Sequence, residues 1–200
     1  MLKFIIGVVI VALVAIGGYY AWQAYGASPA APAPEPQIPV TNTYATSTFS
    51  ITYPSSYWVD DEYAYDGFEK KPIAGVRFGI PGAMATGTNL STDTSVSVEW
   101  LPRASKCTGD IFVVPNVKAT SLTVGSTTFS VASTSGAAAG NMYEEMVYAI
   151  AESKPCTAVR YFIHSTDIGN YDSVTVRTFD HAALLREFDT IRNSLQLNTR

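Results

Sequence analysis

No charged residue lies between Phe4 and Trp22, a run that reads FIIGVVIVALVAIGGYYAW. About 20 helical residues at ~1.5 Å rise cross the ~30 Å hydrocarbon core of a bilayer. A lipid-embedded backbone must satisfy its own hydrogen bonds, so a helix is the expected form of such a run. Lys3 precedes it, and Tyr19, Tyr20, Trp22 and Tyr25 stand at its far end. A basic residue on the short side and interfacial aromatics at the exit predict a cytoplasmic N-terminus and an extracytoplasmic remainder. The competing reading is a cleaved secretory signal, with Ala24-Tyr25-Gly26 as a small-x-small site. The run is longer than the ~7–15 apolar residues of such signals, which favours a retained anchor. The expected location is therefore the cell (inner) membrane, single-pass, with residues 1–22 as the anchor.

Pro recurs at positions 29, 32, 34 and 36. That spacing suits neither helix nor sheet, so residues 23–46 are expected to be an extended spacer. Residues 47–200 are enough for one domain with a sizeable core. Lys3 and Glu35 cancel within the first 46 residues, so the chain's net charge of −4 belongs to this domain. No basic run or stripe is present, which argues against a nucleic-acid partner. Cys107 and Cys156 are the only cysteines. In an oxidising compartment an even pair without a CxxC motif is expected to form a disulfide.

Phe49, Ile51 and Tyr53 alternate with polar residues, as in a half-buried strand, and Pro54-Ser55-Ser56 closes it with a turn. Gly75–Ile80 and Ser95–Leu101 alternate likewise. Pro81–Thr94 and Ser133–Gly140 are rich in small residues without periodicity and read as loops, the first long and mobile. Asn89-Leu90-Ser91 within it matches a glycosylation triplet. Asp110–Ala119 is ambiguous, because Pro115 opposes a strand or helix through it. Hairpins are expected for Ser121–Val124 with Thr127–Ala132, and for Asn141–Ala151 with Thr157–Ser165. Val174–Phe179 either continues the sheet or leads into a helix. Leu184, Phe188, Ile191 and Leu195 form one apolar stripe at helical spacing, so Asp180–Gln196 is expected to be a helix capped by Asp180. The expected class is α+β: an antiparallel sheet of about six to eight strands with a C-terminal helix on one face.

His164, Ser165 and Asp167 could supply nucleophilic chemistry, but neighbours on a strand point to opposite faces and no nucleophile-elbow motif is present. No metal-ligand spacing joins His164 and His181, and the acidic loop Asp60–Glu69 lacks a calcium-loop pattern. No cofactor is expected. Glu144 and Glu145 fall on opposite strand faces, with Arg160 as a cross-strand partner for one of them. Tyr57, Trp58, Tyr63, Tyr65 and Phe68 interleave with carboxylates. Such rings either fill the core, as Trp58 and Phe68 would, or present a surface for protein or carbohydrate.

The opening FSITYP of Phe49–Pro54 followed by Trp58, and the closing helix with Phe188, Ile191, Ser194 and Leu195, resemble the PsbP-like domain over about Thr46–Leu197. The resemblance implies an antiparallel sheet flanked by helices, related to Mog-type Ran-binding proteins, often tethered or secreted in bacteria. Gly140-Asn141, Tyr148, Cys156, His164-Ser165 and Phe179-Asp180 also look like envelope proteins of small-genome bacteria. Such relatives are chiefly accessory or assembly factors, and no metal or partner site of theirs matches positions here. The expectation is a membrane-anchored envelope protein whose outer domain binds a protein or a cell-wall glycan. Its candidate residues are Tyr57, Trp58, Tyr63, Tyr65 and His164. The alternative is an envelope hydrolase using His164 with Ser165 or Asp167.

Overall fold

Alternation along Phe49–Pro54 becomes alternate burial: Phe49, Ile51 and Tyr53 are inside, while Ser50, Thr52 and Pro54 are half-exposed. The computed structural model describes residues 14, 16–22, 40–68, 71–113, 116–172 and 175–198. The chain divides into two units, Met1–Ile38 and Pro39–Arg200. In the first, residues 14 and 16–22 are helical, while the rest of the expected anchor and most of the spacer lie outside the described residues. Among the described residues no helix is long and apolar enough to cross a membrane.

The second unit holds two antiparallel sheets. The smaller has the order β1-β2-β11, formed by Thr41–Ala45, Phe49–Pro54 and Gln196–Leu197. Thr41–Ala45 falls at the end of the stretch expected to be spacer, yet it pairs along its length with β2. The larger has the order β3-β5-β6-β10-β9-β8-β7, with the two-residue β4 (Ala64–Tyr65) also on β5. Its strands are Trp58–Asp60 (β3), Ile73–Gly79 (β5), Ser95–Leu101 (β6), Thr120–Val124 (β7), Thr127–Ala138 (β8), Asn141–Ile150 (β9) and Cys156–Thr166 (β10).

Strand parity gives the larger sheet two faces. One carries Val76, Phe78, Val96, Val98, Phe129, Tyr148, Val159, Tyr161 and Ile163, and forms a core with β2 and the C-terminal helix. That helix spans His181–Asn193 and buries Leu184, Phe188 and Ile191. Full burial of each such side chain stabilises by about 1.5–3 kcal/mol. Asp180 Oδ1 accepts the Ala183 N–H at 2.9 Å, the expected cap. The helix ends two residues after Ile191, and the Ser194 hydroxyl accepts the Thr52 N–H, tying the helix end to β2. The opposite face carries a smaller cluster that includes Ile73, Phe112, Val147, Ala149 and Ala158. Cys107 and Cys156 are bridged beside it. The ambiguous stretch Asp110–Ala119 opens within a 3-10 turn, Gly109–Phe112, which places Phe112 in this cluster.

Three expectations are corrected. Pro81–Thr94 is not a free loop. It contains a short helix, Gly82–Ala85, and bridges Thr88 to Arg177 and Leu90 to Ser165. Asn89 holds it down: its side chain donates to Thr166 O at 2.8 Å and accepts the Phe179 N–H at 3.0 Å. With its amide so engaged and 7% of its surface exposed, Asn89 is closed to glycosylation. Ser133–Ala138 is strand rather than loop, the second half of β8. It lacks hydrophobic alternation because both of its faces are largely exposed. The turn that follows needs left-handed backbone at Ala139 (φ 50°) and Gly140 (φ 79°), as two-residue hairpins do. Lastly, Trp58 does not fill the core; it is 41% exposed.

Candidate binding face

Four of the five candidate residues lie on the face away from the C-terminal helix. Tyr57 is the exception, buried in the apolar core beside Met84. Its neighbour Trp58 points the other way and pairs with Gly79 on β5. A Cβ at Gly79 would fall 1.9 Å from the Trp58 ring, so only glycine lets the indole lie flat over β5. Two rows of residues then cross this face by strand register. One runs Trp58, Gly79, Ser95, Phe162, Glu145; the other runs Asp60, Arg77, Ser97, Arg160.

Arg77 organises the outer end. Its guanidinium lies 5.0 Å from the Trp58 ring and 4.9 Å from the Tyr63 ring, and it pairs with Asp60 at 2.9 Å. Sandwiching between two rings orients Trp58 while leaving its outer surface in solvent. Burial, then the Glu99 charge, pushes the Tyr63 phenol well above its ordinary value, so it stays protonated.

The inner half is closed over charge. Arg160, 1% exposed, donates from Nε to Glu99 Oε1 at 2.7 Å and from Nη2 to Glu99 Oε2 at 2.9 Å. Nη2 also donates to Phe112 O at 2.6 Å, and Nη1 to Glu145. Ser97 Oγ donates to Glu99 Oε1 at 2.8 Å. The Tyr65 ring covers the guanidinium at 3.5 Å and its hydroxyl donates to Glu145 Oε2 at 3.0 Å. A bidentate pair with its remaining hydrogens satisfied is the arrangement that lets such a charge be buried. Burial alone would lower the Arg160 pKa, but Glu99, through hydrogen bonds and charge, and then Glu145 raise it. Tyr65 is raised to about 12 by burial; the Arg160 charge opposes this and Glu145 adds to it. Arg160 is thus the expected cross-strand partner of Glu145, while Glu144, on the other face, meets His181 at 3.1 Å.

His164 shares this face but not the Arg160 network. It stacks on Tyr143 at 4.5 Å, and its Nδ1 lies 2.8 Å from Asp93. Its Nε2 is shielded and has no hydrogen-bond partner. The neighbours proposed for it do not converge. Ser165 is buried on the opposite face, and Asp167 accepts the Gly169 N–H at 2.9 Å. Among the described residues no group of three metal-ligating side chains comes together.

Arg77, Asp93, Glu99, Tyr143 and Phe162 belong to this face and were not among the sequence candidates. Arg77 and Glu99 were within reach, because each interrupts an alternating strand on the side opposite its apolar residues. Asp93 carried no such signal, since it meets His164 across 71 residues of sequence.

No family model matches the chain, and no curated protein matches it. Among solved structures it is similar to the solution structure of cyanobacterial PsbP (CyanoP) from Synechocystis sp. PCC 6803, at 13% identity over 86% of this chain and 100% of that chain, with a TM-score of 0.33. A superposition that loose identifies neither a function nor a ligand, and the α+β architecture rests on the strand order and registers above.

Proposed function

We propose that this is an accessory, non-catalytic binding protein of the cell envelope. Its Phe4–Trp22 segment anchors it in the membrane, and its outer, PsbP-like domain binds an envelope protein or a cell-wall glycan through the Trp58–His164 face. One observation carries the reading: Trp58 is 41% exposed yet held in one orientation by Arg77 and Gly79. A fixed ring beside charged groups offers stacking and hydrogen bonding without a large ordering cost, the combination that binding surfaces favour. The test uses full-length protein with Trp58→Ala and Arg77→Ala, in pull-downs from envelope extracts and in co-sedimentation with purified cell-wall sacculi. Loss of a specific bound species in both variants supports the reading; identical recovery from wild type and variants overturns it. The anchor is tested separately, by whether high-pH carbonate washing leaves the protein in the membrane pellet.

The Asp93–His164 pair favours a second reading, hydrolysis with His164 as base, because a carboxylate on Nδ1 is how such a base is oriented. It still needs a nucleophile other than Ser165. Turnover of an ester or amide substrate by wild type, abolished by His164→Ala, would establish it; equal background turnover by both would end it.

A further inference from the structure

Among the described residues, no strand pairs with the outer edge of β8 beyond Val131. β7 covers β8 only as far as Val131, opposite Thr120, so Ala132–Ala138 is paired on one side alone, by β9. The Ala151 N–H donates to Thr128 O, so even-numbered residues of β8 turn their peptide groups toward β9. By alternation, Ser133, Ser135 and Ala137 turn theirs outward, and all three are exposed. Natural edges are normally blunted by Lys, Pro or a bulge. From Ala119 to Tyr143 this chain has no charged residue and no proline.

We infer that this edge pairs with the same edge of a second copy, antiparallel about a two-fold axis at Ser135. Ser133 then faces Ala137 of the second copy, Ser135 faces Ser135, and each pair exchanges two N–H···O bonds. The side chains are small on both faces and carry no charge, so the edge is complementary to itself. The opposite edge of the sheet cannot extend the assembly. β3 has three residues and runs into Asp60, Asp61 and Glu62. A two-fold pairing occupies the same edge on both copies, so it closes at a dimer instead of growing into a filament. The pairing leaves Trp58 free, because β3 lies at the other end of the sheet, although Tyr143 at the near end of the candidate face neighbours Gly136 of β8.

The native cysteines are bridged, so Ser135→Cys introduces a lone reactive thiol into the full-length protein. In membranes or detergent, mild oxidation or a short bis-maleimide should give a cross-linked dimer from Ser135→Cys and none from Ser126→Cys at the β7–β8 turn. By sedimentation, wild type should show a concentration-dependent dimer. Ser135→Pro removes an outward N–H and constrains the local backbone, and Ser135→Lys sets two ammonium groups face to face; both should be monomeric, Ser135→Lys with unchanged circular dichroism. A dimer that survives both substitutions, a monomer at every concentration, or a Ser135→Cys cross-link to a foreign protein in place of the second copy overturns the inference.

Discussion

The two faces of the larger sheet each bury one arginine, and they do so differently. Arg192, on the face closed by the C-terminal helix, is 4% exposed, with its guanidinium 4.2 Å from the Tyr148 ring. Its carboxylate partner, Asp189, is 44% exposed and can be solvated without it. Arg160, on the other face, is bound to Glu99, whose side chain is 0% exposed. The first arginine holds its guanidinium against the rings of Phe129, Tyr148 and Tyr161, with a solvated carboxylate as its ion partner. The second is the centre of a buried polar core, and without it the carboxylate it holds would keep the Ser97 hydroxyl but lose its cation. The helix side is thus closed by ordinary hydrophobic burial. The other side is closed by an ion network beside a smaller apolar cluster, with the Trp58 ring left open to solvent.

That difference is breakable in a definite order. Arg160→Ala should cost about 3–5 kcal/mol, because it leaves Glu99 buried and unpaired. Converting Glu99 to Leu in an Arg160→Met background should restore much of that loss, as replacing a whole buried pair often does. Urea titrations of the single and double variants measure both. Reduction of Cys107–Cys156, which closes a loop with a sequence separation of 49, should cost about 4 kcal/mol in the chain-entropy model. Thermal unfolding with and without reductant reads this. Arg192→Ala should cost only about 1–2 kcal/mol, through lost packing and ring contact. A cost equal to that of Arg160→Ala would erase the distinction between the faces. Trp58→Ala should change stability by less than about 1 kcal/mol, since the ring is a surface group.

The smallest effect is on pH dependence. Tyr65 is raised from 10.0 to about 12 by burial, so the folded state holds its proton more tightly than the unfolded chain. Its contribution is fully present below pH 10.0 and is lost as pH rises toward about 12. Tyr57, Tyr63 and Tyr161 are raised as well, also by burial, and act in the same direction. Tyr65→Phe should therefore flatten, without abolishing, the alkaline loss of stability followed by chemical denaturation. An unchanged slope would mean that Tyr65 does not titrate with folding.

Much of this was legible where one face of an element is wet and the other dry. Phe49–Tyr53, Ser95–Leu101 and the Leu184–Ile191 stripe declare themselves by period, though the helix stops at Asn193, short of the expected Gln196, which lies in β11 and pairs with Ser50. Asp180 announces its helix, and the cysteine pair its bridge. The second half of β8 was not legible because neither face of Ser133–Ala138 is dry, so no alternation is imposed on it. Pro81–Thr94 reads as a loop because its order comes from bonds to residues far along the chain: the Asn89 side chain bonds Thr166 and Phe179, and the backbone of the stretch bonds His164 and Arg177. The candidate face was legible in kind but not in membership. Neighbouring Tyr57 and Trp58 look equivalent in sequence, and only the pairing of β3 with β5 decides that one is core and the other surface. Asp93 reaches His164 by tertiary folding alone.

The division of labour between the two faces is tested most directly by photo-crosslinking in intact cells. A photoreactive phenylalanine analogue would replace Trp58 in one protein and Arg186, exposed on the C-terminal helix, in another. The account predicts a discrete cross-linked species from position 58 and none from position 186. Equal cross-linking from both positions, or from position 186 alone, would contradict it.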